Sequence, residues 1–345
     1  MSEIRIVSFS QKEEPVDDFF TVPQRIEGLT DGQAKAEQAG TRALLVPTNT
    51  YFRTGDSRAF VAYRDDRPVG RLCAFHNKET VDLLGPIGLV GLFTCEDDRT
   101  AARTLVDAAA DWCKALGLKS LRGPMAGDIW HRWRFMTDGF DTPPFPGEPR
   151  QPKYYPELFI ACGFNRVRTF STKRITDIEA QMARLKTSRD LNRKRGYTFR
   201  NFDTSNWQED IESLHELCQH SFASNWGVTP IAFEEFSDIY NRWLTRVGPG
   251  QILLALDPEK KVVGLGLAVA APSDTLNIRT LAVLPGQHGY GLGRAIVAEL
   301  YQRALDAGQT VVQHCLMGPD APPQRWDGGQ AQVTREYAMF ERGIE

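Results

Sequence analysis

Gly289, Gly291 and Gly293 alternate along a short stretch between the apolar run 281–284 and a segment of helical periodicity that starts at Gly293. Where a strand hands over to a helix, the first backbone N–H groups of the helix have no partner within it. The helix dipole adds partial positive charge at that end. Together these features bind phosphate. Glycine removes the Cβ atoms that would hold a pyrophosphate away from the N–H groups. The chemistry expected here is therefore phosphate held against bare backbone. Two common phosphate loops do not fit. A dinucleotide loop needs Gly-x-Gly-x-x-Gly and an acidic residue about 20 positions on, whereas this chain runs Gly-x-Gly-x-Gly into Arg294. A Gly-Lys-Ser/Thr loop is absent.

The elements that would position this loop recur twice along the chain. In the first half, IRIVSF reads as a strand, and two apolar runs flank the turn Asp65-Asp66-Arg67-Pro68 as a hairpin. Ala101, Leu105, Ala108, Ala109, Trp112 and Leu116 then recur at helical spacing. A Pro-, Gly- and aromatic-rich stretch from Gly123 to Gly163 has weak periodicity until PELFIACGF, and reads as an ordered loop. Residues 184–196 are polar and basic. They read as a solvated linker helix, or as a basic rim for a phosphate-bearing ligand. The second half repeats the grammar: two amphipathic helices, a hairpin of QILLALD with KVVGLGLAVAA, a strand, the glycine stretch, a helix and the strand TVVQHCLM. The alternating strand QVTREYAMFER closes it.

The bulk properties narrow the class. The 345 residues suffice for two domains, and 41% hydrophobic with 25% charged residues is an ordinary globular mix. A net charge of −3 predicts no general attraction to nucleic acid. No apolar run approaches the ~20 residues of a membrane span. The start lacks a basic-then-apolar signal pattern, and the six cysteines are scattered, so a reduced, cytoplasmic protein is expected. The six histidines show no metal-ligand spacing, and no metal is expected.

Leu-Ala-Val-Leu-Pro followed by Gly-x-Gly-Leu-Gly-Arg-Ala resembles motif A of the GNAT acyltransferase superfamily, Val-x-Pro-x-x-(Arg/Gln)-x-x-Gly-x-(Gly/Ala). Counted from Pro285, Gly291 and Gly293 fall on its two glycines and His288 on its Arg/Gln position, a departure from the pattern. The resemblance covers the second half, while the first resembles a GNAT-like domain without a glycine loop. Together with NTYF, RGPM, DGFDTPP, YYPEL and NWGVTP the chain is similar to bacterial proteins with two tandem GNAT-like domains. GNAT-like enzymes that make ceramides or other lipids bring long-chain substrates within its scope. The implied fold is α/β: two tandem GNAT-like domains, each a mixed, largely antiparallel twisted sheet flanked by helices. Residues 1–183 would form a degenerate domain, 184–196 a linker and 197–345 the acyl-CoA-binding domain.

The resemblance implies acetyl-CoA or a longer acyl-CoA as co-substrate, bound by Leu281, Ala282, Val283, His288, Gly289, Tyr290, Gly291, Leu292, Gly293 and Arg294. At position 288 the backbone N–H is expected to matter more than the side chain. The implied reaction is direct attack of an amine on the thioester in a ternary complex, with 281 and 283 offering N–H groups to the carbonyl. The strand position that often carries a carboxylate base is Asn277, which cannot take a proton. His314 on the fifth strand of the fold is the better candidate base, with Asp274 a second. Trp326 falls where many GNATs have an acid tyrosine, so Tyr337 is the candidate acid. Cys315 reads as an apolar filler. Asn225, Trp226, Glu234 and Asn277 are candidate acceptor contacts. His131, Asp138, Asp141, Tyr154 and Tyr155 are further polar candidates in the loop from the first half. The acceptor would be a small-molecule or lipid amine, and the chain a monomer or homodimer. Rival readings are an acyl-carrier-protein-linked acyltransferase or decarboxylase, a CoA-independent aminoacyl transferase, and a non-catalytic CoA-binding protein.

Overall fold

The computed structural model describes residues 3–78, 81–82, 85–248, 252–271 and 274–344. Gln251, expected to open a strand, lies outside them. The first half runs β1 (Ile4–Ser10), α1 (Asp17–Ile26), α2 (Asp31–Leu45), β2 (Gly55–Arg64), β3 (Arg67–Asn77), the short pair β4 (Val81–Asp82) and β5 (Gly85–Pro86), β6 (Gly88–Cys95), α3 (Arg99–Ala115), β7 (Ser120–Gly123), β8 (Phe135–Asp138), α4 (Tyr155–Ala161) and β9 (Asn165–Ile175). Next come α5 (Ile178–Lys194), β10 (Thr198–Asn201), α6 (Trp207–Phe222), α7 (Phe233–Val247), β11 (Ile252–Leu256), β12 (Val262–Ala270), β13 (Thr275–Val283), α8 (Leu292–Asp306), β14 (Val311–Met317) and β15 (Gln332–Gly343).

Local chemistry explains most of these boundaries. The β2–β3 turn is the two-residue step Asp65–Asp66, with Arg64 opposite Arg67 and Asp65 at φ 54°. A left-handed residue there matches the strand twist. Pro68, expected in the turn, lies in β3 opposite Tyr63. Helix α3 buries Ala101, Ala102, Leu105, Val106, Ala109, Ala110 and Cys113. The expected stripe was offset by about one residue: Ala108 and Trp112 pack only at the edge of the core, and Leu116 is exposed.

All strands but β4 and β5 join one sheet, in the order β1-β2-β3-β6-β7-β15-β9-β14-β13-β12-β11-β10, with β8 pairing β15. Each half contributes an antiparallel meander ending in one parallel pair, β6 with β7 and β13 with β14. The halves then exchange ends. Strand β15 lies between β7 and β9, and β9 pairs with β14. Each half's last strand thus completes the other's sheet. The first half buries one core under α3 and α4 and a second under α1 and α2. The second half has one core under α5 and α8 and another under α6 and α7. The basic stretch 184–196 is mostly exposed, as a solvated helix would be. Up to Lys194 it belongs to α5, with Leu185 and Asn192 buried, and this helix packs along α8. Among the described residues no helix is long and apolar enough to cross a membrane.

Candidate functional site

The parallel ladder of β13 and β14 runs from Thr275 opposite Val311 to Ile278 opposite His314 and stops there. A bulge follows at once. Leu267 faces Thr280 while Ala268 faces Ile278, leaving Arg279 unmatched. Bulges turn a strand and re-aim its side chains. Arg279 swings onto Trp243, 5.1 Å from its ring, and donates to Pro146 O at 2.9 Å. Strand β14 breaks register in the same place. It resumes pairing at Met317 with Ser171, and Leu316 adopts φ 58°. Arg134, at φ 65°, donates to Leu316 O at 3.0 Å. The two strands therefore part into a V whose open edge on β13 runs over residues 279–283.

The glycine loop lies at the end of that edge. A turn at Pro285–Gln287 leads to Gly289 at φ 89° and Gly291 at φ 74°. Gly291 is the N-cap of α8, and no side chain caps the helix. The first-turn N–H donors of α8 are thus left for a ligand. The loop is braced from α5. The Asn192 amide donates to Tyr290 O at 3.0 Å, Arg195 reaches the same oxygen at 3.4 Å, and Ser188 lies beside Gly291. Gly293 is needed for space: a Cβ there would come within 3.1 Å of the Trp326 ring. Leu281 and Val283 turn their side chains toward Gly293, Ala282 and Leu292 are buried, and Tyr290 and Arg294 are exposed. His288 departs from expectation. Its N–H closes the turn onto Pro285 O at 3.2 Å, so it is not free for a phosphate, and its Nε2 lies 3.1 Å from Val283 O.

The expected catalytic residues fare unequally. His314 faces α8 rather than the V, with its Nε2 2.7 Å from the Tyr301 hydroxyl. Burial pushes its pKa down to about 4, which makes it a poor proton acceptor at neutral pH. Asp274 sits at the closed end of the ladder. Its carbonyl accepts from Thr310 and Val311 N–H, and its carboxylate holds the Thr310 hydroxyl. Four residues separate it from the opening. Tyr337 lies in the core shared with α1 and α2, fully buried. It is hydrogen-bonded to Glu148 and lies 3.2 Å from the Thr172 hydroxyl. Burial and the Glu148 carboxylate raise its phenol well above the usual range.

Glu148 escaped sequence reasoning because its loop, Phe-Pro-Gly-Glu-Pro, has no periodicity. Its carboxylate has no exposed surface, pairs with Arg335 at 2.9 Å, and is raised by burial. Neighbouring Gly147 lies directly against Arg279. The first half thus delivers a carboxylate beside the bulge of the second.

The expected acceptor contacts scatter. Asn277 is buried, donating to Val269 O at 3.2 Å, with the Cys315 thiol 3.8 Å from its amide oxygen. Burial raises that thiol far above its ordinary pKa, as suits a filler. Asn225 is exposed, and Trp226 stacks 4.6 Å from Arg122. Glu234 is exposed beside Arg53 at 3.5 Å. Its neighbour Glu235 is the buried one, next to His131. Burial alone would lower His131, but the carboxylates of Asp128 and Glu235 raise it to about 10. Asp138 caps Gly139 N–H, Asp141 pairs with Lys153, and Tyr154 and Tyr155 bond to Cys95 backbone, all structural roles.

Over 99% of its length the chain superposes on a tandem GNAT protein from the clavulanic acid biosynthesis pathway, covering 99% of that chain at TM-score 0.55 and 14% identity. Residues 211–320 match the Acetyltransferase (GNAT) family. That segment is similar to the GNAT family, and the fold of the whole chain is that of tandem GNAT proteins. Its whole length also superposes on 73% of a probable N-acyltransferase from Enterococcus faecalis V583, at TM-score 0.60 and 10% identity. At these identities the likeness is one of fold. In sequence, the chain is 28% identical over 200 residues to a bacterial ceramide synthase of Caulobacter vibrioides, covering 55% of this chain and 50% of that one. It is 27% identical over 184 residues to Protein YghO of Escherichia coli K12, covering 52% and 46%. The chain thus spans about half the length of the curated relatives it matches. The matched segment and the fold are those of GNAT acetyltransferases, a fold that generally binds acyl-CoA.

Proposed function

We propose that the protein is an acyl-CoA-dependent N-acyltransferase that moves an acyl group from CoA to an amine in a ternary complex. The observation that carries this reading is the uncapped N-terminus of α8, opened by Gly291 at positive φ and placed at the mouth of the V. Phosphate oxygens would take the donors that no side chain takes. The thioester would lie along the open edge of β13, its carbonyl toward the N–H groups at 281 and 283. The amine then attacks the carbonyl carbon, the C–N bond forms and the C–S bond breaks. One proton must leave the amine and one must reach the CoA thiolate. Glu148 and Tyr337 are the pair suited to both duties, since they share a hydrogen bond at the V. Glu148, raised by burial, accepts the amine proton, and the proton returns to the thiolate through the Tyr337 hydroxyl that bonds to it, so no phenolate has to persist. The similarity to a ceramide synthase favours a lipid amine as acceptor and a long acyl chain.

Calorimetric titration with CoA, acetyl-CoA and palmitoyl-CoA tests the reading. Binding to the wild type, lost in Gly291→Asp, is the expected result. If no CoA species binds the folded wild type, the reading fails, and charged tRNA and acyl-carrier protein become the donors to test. One second reading has its own support. Asn277 and His314 offer no base at the V, which favours a protein that binds CoA without turnover. Turnover that falls roughly 100-fold in Tyr337→Phe while CoA affinity holds would exclude it.

A further inference from the structure

The loop from β7 to β8 and helix α7 meet at a second polar centre. His131 Nδ1 lies 2.8 Å from Asp128 Oδ1, and its Nε2 lies 3.2 Å from Glu235 Oε1. Asp128 and Glu235 are 3% and 8% exposed. The two contacts differ in kind. The Asp128 contact is a hydrogen bond, and the same oxygen accepts Trp130 N–H at 2.8 Å. Glu235 Oε1 is buried, and its 3.2 Å contact with the imidazole nitrogen is poorly aligned for a hydrogen bond. Two atoms on one tetrahedral Zn²⁺, each bonded at ~2.1 Å, stand ~3.3 Å apart without pointing at each other. The Nε2–Oε1 pair has that spacing.

We propose that His131 Nε2 and Glu235 bind a divalent first-row transition cation, Zn²⁺ in the simplest case, at the joint between the two halves. Asp128 is the positioning residue: a carboxylate on Nδ1 sets the tautomer and turns Nε2 to the metal. The Thr50 hydroxyl holds the other Glu235 oxygen at 3.2 Å. The Tyr51 hydroxyl supplies an independent sign. It is buried, has no hydrogen-bond partner, and lies within reach of the charges of Asp128 and Glu235. Its ring is fixed between Gly55 and Gly127, so it cannot turn away. A water on the metal would give that hydroxyl its partner. Charge agrees. Among the described residues neither carboxylate pairs with Lys or Arg, and a divalent cation in place of the Nε2 proton would neutralise both. A mixed imidazole and carboxylate set suits Zn²⁺ better than Mg²⁺. The cation would tie α7 to the first half. The inference is independent of the acyl-CoA reading.

The test uses the full chain without a histidine tag, stripped with chelator and titrated with Zn²⁺ by calorimetry and Co²⁺ by visible absorption. One Zn²⁺ per chain is expected, with Co²⁺ d–d bands and a raised Tm. Affinity should fall more than 100-fold in His131→Gln and Glu235→Gln, and about 10- to 100-fold in Asp128→Asn. Gly291→Asp should keep the metal. A folded wild-type chain that takes up neither ion overturns the proposal without recourse to a variant, as does undiminished binding in folded His131→Gln.

Discussion

Helices α3 and α8 occupy matching places in the two halves, each following the inner strand of a parallel pair, and their N-termini are finished in opposite ways. Asp98 caps α3, its carboxylate accepting from Thr100 and Ala101 N–H at 2.9 and 3.1 Å while pairing with Arg64. At α8 the capping position is Gly291, with no side chain at all. The strand edges differ likewise. In the first half the chain fills its own V: Met125 N–H donates to Val90 O at 2.7 Å, and a Cβ on Gly91 would stand 2.5 Å from the Met125 carbonyl. In the second half no strand pairs with residues 279–283 of β13 on that side among the described residues. One half fills both places with its own chain, and in the other, among the described residues, the helix end has no side-chain cap and the strand edge no neighbour. The fold's binding geometry thus survives in both halves, but only one offers unsatisfied donors.

The largest effect should come from giving α8 the cap that α3 has. Gly291→Asp places a carboxylate on the same donors and, since Asp tolerates positive φ better than most residues, leaves the helix formed. CoA affinity should drop at least 100-fold, read by calorimetry, with circular dichroism unchanged. Overfilling the closed V comes next. Gly91→Val should cost about 1–3 kcal/mol in denaturant unfolding, because backbone rather than a flexible side chain blocks the Cβ. Asp98→Ala should cost about 1 kcal/mol and confer no CoA binding, since Met125 still fills that V. If it did confer binding, the cap rather than the filled V would be what silences the first half.

Acid should also separate the halves. His314 has a folded pKa of about 4, below its usual ~6.5. The stability tied to its neutral form is complete above ~6.5 and is lost as pH falls toward 4. In the first half, burial would raise Glu37, but Arg132 and Arg71 hold it down to about 2. Its contribution is present above ~4.3 and lost only as pH falls through 2. Unfolding free energy measured against pH should therefore decline in two windows, the upper one flattened in His314→Gln and the lower in Glu37→Gln. The smallest effect belongs to Gly293→Ala: the Trp326 ring must shift by a few tenths of an ångström, and CoA affinity should weaken only a few-fold.

Much of this could be read along the chain because it depends on neighbours. The strand, Pro285, the glycine spacing and the helix of the phosphate loop are all local, and the observed loop has that form. The amphipathic helices were legible for the same reason, although the α3 stripe was displaced because small alanines on adjacent faces give periodicity little contrast. The basic stretch 184–196 is a largely exposed helix to Lys194, as its charge suggests, but its contacts with α8 carry no local signal. Arg189 and Arg193 pair with Glu299 across α5 and α8, and Asn192 turns inward to Tyr290. His314 and Asp274 were plausible by residue type and strand position, yet which face a side chain takes past a bulge is not written in spacing. Glu148 and the His131 centre had no local signal, since their partners lie 187 and 104 positions away, at Arg335 and Glu235.

By itself the sequence determined the elements, the twofold repetition of an α/β grammar and a backbone-bare helix N-terminus suited to phosphate, because each depends on dihedral preference and periodicity within a few residues. Only the tertiary structure decided that β15 and β9 change places, that the first V is closed by Met125, and that carboxylates from one half stand beside the helices of the other. Those outcomes depend on burial and charge pairing between segments that meet only after the sheet has closed.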